Sequence, residues 1–277
     1  MINFGWIPDK KDDRDLLLTT AKLGAGLIVR KASIKKDGVA ILNQGDYGTC
    51  VGHGGVRSIA HAVFNETKKK ISPSRAFAYQ AALLVDGVDC DPQRGTQIRS
   101  LIKGAVRYGV PLEKDYRYTD ANLRRFPLEK AMEKAEKYQA LKYYNIANGN
   151  VELMKLALAN GFCPVFGARI FNSFQSEFAM ASGIVPHPPR LGDGLLGGHC
   201  MAIEECDDDL TAQAICDRLK LKQGNLSKAP GYFTIANSWG SNVGDKGYFY
   251  MPYSYFADTS RGLVSDIWCI TQNELGK

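Results

Sequence analysis

From Cys50 to about residue 140, apolar positions recur at helical spacing. In "VRSIAHAVFNETKKK" the residues at 56, 59, 60, 63 and 64 are apolar, which predicts a helix following Cys50. "SPSRAFAYQAALLVDG" opens with Ser-Pro and predicts a second. "TQIRSLIKGAVRYG" predicts a third, stopped by Gly109 and Pro111. "FPLEKAMEKAEKYQAL" reads as a charged surface helix, and "ELMKLALANG" as a short helix with a glycine stop. Beyond it the period changes. "CPVFGARIF", "HCMAIEEC", "YFTIANSW", "GYFYMPY" and "SDIWCIT" are short apolar or alternating runs bounded by Gly, Asn and Asp, and they predict strands. Residues 207–230 put a polar segment between two of these strands, read as an inserted loop or short helix. The expectation is an α+β chain: an N-terminal extension over 1–30, a helical lobe over 31–145 and a strand-rich lobe over 146–277.

The 277 residues, 45% of them hydrophobic, suffice for one large or two small packed units. No apolar run approaches the ~18 residues of a membrane span. "MINFGWIPDKKDDRD" is charged where a secretion signal is apolar, so a cytoplasmic location and no membrane partner are expected, with a virion-associated or delivered effector protein as the alternative. The net charge of +6 comes from scattered basic residues such as Lys68–Lys69–Lys70 and Arg124–Arg125, read as solvated faces. Nucleic acid is not expected as a partner, and a monomer is expected.

Of the seven cysteines, Cys50, Cys90, Cys163, Cys200, Cys206, Cys216 and Cys269, none forms a CxxC pair. Cys200, Cys206 and Cys216 beside His199 match no ordinary zinc spacing. No metal, no cofactor and no disulfide are expected.

"NQGDYGTCVGHG" marks one cysteine as different. Cys50 stands where a helix begins, with Thr49 as a candidate N-cap, and a helix N-terminus favours a thiolate. Gly52, Gly54 and Gly55 weaken that helix by roughly 1 kcal/mol each against alanine, a cost that points to close backbone approach. An acyl-transfer nucleophile needs donors for an oxyanion; the Cys50 N–H and the amide of Gln44 are candidates. Four histidines could act as base. His61 reads as a surface or core residue and His187 lies in a "VPHPP" loop. His53, three residues beyond Cys50, is the local rival to His199, which opens an apolar strand after Gly197 and Gly198. Asn237, at a strand end and followed by Trp239, could orient an imidazole while the indole shields the bond.

Three segments together resemble the papain family of cysteine peptidases. "NQGDYGTC" is similar to its glutamine-to-cysteine turn, "GGHCMAIEE" to its histidine strand, and "NSWGSNVGDKGYF" to its asparagine-tryptophan segment. "ISPSRAFAY" and "RGTQIRSLIKGAVRYGVPLEKDYRY" resemble its helices and substrate-wall loop. The likeness covers roughly residues 38 to 271. Thr49, Val51, Tyr47, Thr96 and Val243 depart from the usual residues.

The resemblance implies a two-lobe fold, helical lobe against a β-barrel-like lobe, with the active site between. It implies Cys50 as nucleophile, His199 as base and acid, Asn237 as orienter, Gln44 as oxyanion donor and Trp239 as shield. Gly95 and Thr96 would pair with substrate backbone, and Gly197–Gly198 with segment 257–263 would floor the pocket for the residue two before the cut. The implied activity is hydrolysis of peptide or protein substrates through a thioester. An amidase, transpeptidase or deubiquitinating-type enzyme on the same fold, or a catalytically silent binding protein, are the alternatives. The extension around Trp6 and Pro8 either packs on the back of the strand-rich lobe, the favoured expectation, or lies in or beside the cleft.

Overall fold

The Cys50–Thr67 helix is buried on all sides from Cys50 to Val63, its polar His53, Arg57 and His61 included, so other elements must enclose it. Its glycines are where they come close. A Cβ on Gly52 would lie 2.6 Å from the carbonyl oxygen of Arg75, at the start of the Arg75–Asp86 helix. One on Gly54 would lie 2.7 Å from Cys200 Sγ, and one on Gly55 would enter the side chain of Leu101 in the Ile98–Tyr108 helix. The expected close approach is therefore made on three sides. The Arg75–Asp86 helix is capped by Ser74, whose Oγ accepts from the Phe77 N–H at 3.1 Å, and closes on Gly87 in the left-handed region.

The computed structural model describes residues 4–24, 27–186, 189, 192–222, 226 and 228–273; His187 lies outside them. Seven strands form one antiparallel sheet: β1 (Lys31–Ser33), β2 (Ala140–Ile146), β3 (Val165–Phe171), β4 (Leu195–Asp207), β5 (Tyr232–Ala236), β6 (Tyr248–Pro252) and β7 (Val264–Asn273). Their order is β2-β7-β3-β4-β5-β6, with β1 on β4. Among the described residues this path is open, where the resemblance implied a barrel-like closure. The sheet also draws β1 and β2 from the range 31–145 read as helical. The charged helix expected over "FPLEKAMEKAEKYQAL" ends early, as Glu129–Ala135 and a 3-10 turn Glu136–Tyr138. From Ala140 the chain pairs with β7 instead. The polar segment 207–230 holds the short helix Ala212–Leu219, with Thr211 as its cap.

The helix carrying Cys50 packs against β4 and β7. A buried ion pair ties the two halves. Arg57 Nε donates to Glu204 Oε1 at 2.6 Å, His61 Nε2 lies 3.1 Å from the same oxygen, and Tyr248 donates to Oε2 at 3.3 Å. Burial raises the Glu204 carboxyl, but Arg57 and His61 outweigh it and hold its pKa at about 2. Among the described residues, no helix is long and apolar enough to cross a membrane.

Candidate active site

Gln44 and Asn237 are stitched into one wall. The Gln44 N–H donates to the Ser238 carbonyl at 2.8 Å, the Ser238 hydroxyl donates to Gln44 Oε1 at 2.6 Å, and the Gly240 N–H donates to Leu42 O at 3.0 Å. Gln44 Nε2 donates to the Tyr47 carbonyl at 2.7 Å, so the amide is oriented with its nitrogen toward the turn that leads into Cys50. Thr49 holds the N-cap position without capping. Its hydroxyl is 2.7 Å from the Tyr118 hydroxyl instead.

His199 lies on β4 and is buried. The N–H of the next residue, Cys200, donates to Cys50 Sγ at 3.4 Å, which brings the start of the helix against β4. His199 Nε2 is 2.8 Å from Asn237 Oδ1, an oxygen that also accepts the Ser238 N–H at 2.7 Å. An acceptor oxygen fixes the proton on Nε2, leaving Nδ1 with its lone pair. Nδ1 is buried and has no hydrogen-bond partner among the described residues. Trp239 stacks on the imidazole, with ring centroids 4.9 Å apart at 28°.

The rival histidine does not reach this group. His53 Nδ1 is 2.9 Å from its own helix's Thr49 carbonyl, and its ring packs edge-on against Tyr118 at 5.0 Å. Burial lowers its pKa to about 3. His61 is committed to Glu204. Cys163 lies with His61 and Glu204, their ligand atoms within 4.8 Å of one another. Arg57 already neutralises that carboxylate, and burial raises the Cys163 thiol well above the usual range. The trio is better explained as a structural ion pair than as a metal centre.

Residues 4–9 of the extension lie along the cleft. The Trp6 N–H donates to Gly198 O at 3.0 Å, the Ile7 N–H to Thr96 O at 3.0 Å, and the Thr96 N–H to Gly5 O at 2.9 Å. Trp6 and Thr96 form a parallel bridge. Phe4 packs edge-on against His199 and Trp239, at 6.0 and 6.4 Å between centroids. The N–H of Gly5 is hydrogen-bonded to the Cys50 thiol. A Cβ on Gly5 would drive into the carbonyl oxygen of Gly48, and Gly95, Gly197 and Gly198 likewise leave no room for one beneath the arm. The favoured expectation, a purely structural arm on the back of the strand-rich lobe, is thus overturned for this stretch. Further along, the Leu18 N–H donates to Asn145 O of β2 at 2.8 Å. Trp6 is 7% exposed, and burying the roughly 150–250 Å² of a tryptophan is worth about 4–6 kcal/mol by area alone.

This closed arrangement changes the electrostatics foreseen for Cys50. Burial pushes its thiol up to about 11, against backbone N–H bonds that lower it, and burial pulls His199 down to about 4. With the arm seated, thiol and imidazole are both neutral. Trp6 itself lies between Gly167 and Gly198, and its Nε1 donates to Asp266 Oδ2 at 3.2 Å.

A buried cysteine at a helix start, an imidazole with one nitrogen free, and an amide holding the other define a thiol acyl-transfer site. A profile described as papain family cysteine protease matches residues 30–261. The chain is 31% identical, over 98% of its length and 87% of the relative's, to an uncharacterised peptidase C1-like protein of Acanthamoeba polyphaga mimivirus. Its fold is similar to xylellain, a cysteine protease from Xylella fastidiosa, with a TM-score of 0.79 at 27% identity over 98% of this chain and 96% of that one. It is also similar in fold to the cysteine protease and lectin-like domains of a surface layer associated protein of Clostridium difficile. There the TM-score is 0.71 at 16% identity, over 98% of this chain and 56% of that one. The chain belongs to the papain family of cysteine proteases, whose substrates are peptides or proteins.

Proposed function

We propose that Cys50 is the nucleophile, His199 its base and acid, Asn237 the residue that orients the imidazole, and Trp239 its shield from water. His199 Nδ1 takes the thiol proton as Sγ bonds the substrate carbonyl carbon. The Cys50 N–H and the Gln44 amide stabilise the oxyanion. The C–N bond breaks as the imidazolium gives its proton to the leaving amine, and a thioester remains. His199 then takes a proton from water as its oxygen bonds the thioester carbon; the C–S bond breaks, the carboxylic acid leaves, and the imidazolium returns its proton to the sulfur. Gly95, Thr96, Gly197 and Gly198 form the substrate walls. The helices around Cys50 make one lobe, and the sheet bearing His199 and Asn237 makes the other.

The single observation that carries this reading is the His199–Asn237 bond, which leaves Nδ1 as the imidazole's only other polar atom, in the cleft where Cys50 lies. Replacing Cys50 with alanine and assaying a peptide library tests it: turnover is lost while the fold survives.

In the same reading the arm is a gate. A productive substrate turns its leaving amine to His199, so the chain after the cut runs toward His199 and Trp239. The arm places its earlier residue, Phe4, there and its later residues on Thr96, and so runs in reverse. An N–H, not a carbonyl carbon, faces the thiol. The arm blocks the cleft without being positioned for cleavage.

A further inference from the structure

Residues 45–49 separate Gln44 from Cys50, and the turn they make is weakly held by its own sequence. Gly45 sits in the left-handed region at a φ of 61°, and Gly48 has no side chain to pack. Thr49, in the N-cap position, makes no capping bond. A threonine cap is worth about 1 kcal/mol, so forgoing it weakens the helix start. The Thr49 hydroxyl is committed to Tyr118 instead.

Tyr118 closes the turn. Its hydroxyl donates to the Gln44 carbonyl at 2.8 Å. A phenol has one proton, so the Thr49 hydroxyl, 2.7 Å away, donates to the phenol oxygen. One side chain thus joins Gln44 to the residue just before Cys50. Burial pushes the phenol up to about 12, which keeps its proton in place at neutral pH. The ring is itself anchored. The Tyr118 N–H donates to Glu113 Oε1 at 2.7 Å, the Arg75 N–H donates to Glu113 Oε2 at 3.3 Å, and the Arg75 guanidinium lies 4.5 Å above the ring.

The two ends of this turn carry the two donors that the proposed mechanism needs. Gln44 Nε2 has two protons and gives one to the Tyr47 carbonyl; the other is the one an oxyanion would take. At the far end the Cys50 N–H follows Thr49 directly. Such donors must stand about 2.7–3.1 Å from the oxyanion, and a misplacement of ~1 Å can cost about 10² in rate. Ser238 holds Gln44 to the asparagine segment, whereas Tyr118 holds it to the nucleophile's own helix.

We propose that Tyr118 is the positioning residue of the oxyanion hole. Through the Gln44 carbonyl and the Thr49 hydroxyl it sets the spacing between the Gln44 amide and the Cys50 N–H. It acts through the turn, not on the substrate. This inference rests on the reading of Cys50 as nucleophile and Gln44 as oxyanion donor.

Tyr118→Phe keeps the ring and removes the hydroxyl. Its kcat on a small peptide should fall about tenfold while KM changes less than about twofold, the split expected when an interaction made only in the transition state is lost. Alkylation of Cys50 by iodoacetamide, a displacement that forms no oxyanion, should keep the native rate. Gln44→Ala should lower kcat/KM by about 10². Tyr118→Phe combined with Gln44→Ala should lie within about twofold of Gln44→Ala alone, because a donor that is gone cannot be misplaced. Thr49→Val, which removes the second bond, should lower kcat in the same direction by less, and it carries the same test should Tyr118→Phe fail to fold. A native kcat in these variants, or losses that multiply with that of Gln44→Ala, overturn the inference alone. Alkylation slowed in step with kcat also overturns it, since Tyr118 would then support the Cys50–His199 pair. A native protein that neither cleaves peptide nor is alkylated at Cys50 overturns the nucleophile reading as well.

Discussion

The main-chain N–H of Gly5 is hydrogen-bonded to the thiol of Cys50, and no larger residue fits at position 5 because its Cβ would enter the carbonyl oxygen of Gly48. Gly5→Ala should therefore expel the arm without touching the cleft itself. Its kcat/KM on a small peptide should rise about tenfold or more, with little change in melting temperature. Unchanged or reduced activity would show that the arm does not limit access.

In the proposed reading, displacing the arm also changes the protonation of Cys50. With the thiol held at about 11 by burial, alkylation by iodoacetamide should be slow at neutral pH and accelerate only as pH climbs toward that value. In Gly5→Ala water reaches the pair, the Cys50 pKa falls and that of His199 rises. The half-point of the alkylation profile should move down by at least one pH unit. Coincident profiles would contradict this.

Asp9 makes docking pH-dependent. Burial first, then the charge of Asp266, raises its carboxyl from 3.8 to about 6 in the docked arm, although its oxygens accept from Trp268 Nε1 at 2.8 Å and the Arg99 N–H at 3.2 Å. A raised pKa means docking is strongest below 3.8 and weakens as pH rises through 6. Asp9→Asn keeps the acceptor for Trp268 and abolishes the titration. At pH 7.5 the native protein should be several-fold more active than Asp9→Asn, and the two should converge near pH 4. A ratio independent of pH would reject the linkage.

The two histidines separate by role. His199→Ala should lower kcat by about 10²–10⁴, and Asn237→Ala by less, because it orients without transferring a proton. His53→Ala should change kcat less than about threefold. The reverse ranking would move the base to the nucleophile's own helix.

The ion pair beneath the site is structural. Breaking it with Glu204→Ala leaves Arg57 buried and uncompensated and should cost about 3–5 kcal/mol of stability. Because the Glu204 carboxyl is depressed to about 2 from 4.5, its contribution is present above 4.5 and is lost as pH falls toward 2. Urea unfolding across that window should show the native protein and Glu204→Ala converging in acid.

The chemistry was more legible in the sequence than the state it is held in. Gln44, Cys50, His199, Asn237 and Trp239 each lie in a short segment whose residue types serve one step, so order and composition pointed to them. The helix at Arg75 carries a local cap and a glycine stop, and the helix at Ile98 a glycine stop. β2 was hidden because "YQALKYYNI" follows a charged helical run, and only its pairing with β7, far along the chain, makes it a strand. Asp266 was invisible for a similar reason: "SDIWCIT" reads as an ordinary short apolar strand, and the left-handed turn of its backbone lies at the register shift against β3. Trp6 could be seen as an anchor, but its pocket is made by Gly167 and Gly198, which nothing local connects to residue 6. His61 and Arg57 gave no sign of Glu204, their partner on the opposite half of the fold.

The most direct measurement of the central claim is peptide mapping of the alkylated Gly5→Ala protein, labelled near neutral pH with one equivalent of iodoacetamide, beside the same protein carrying His199→Ala. The account predicts modification concentrated on Cys50 and strongly reduced by loss of His199. Label on Cys163, Cys200 or another thiol with Cys50 unmodified, or peptide cleavage that survives Cys50→Ala, would contradict it.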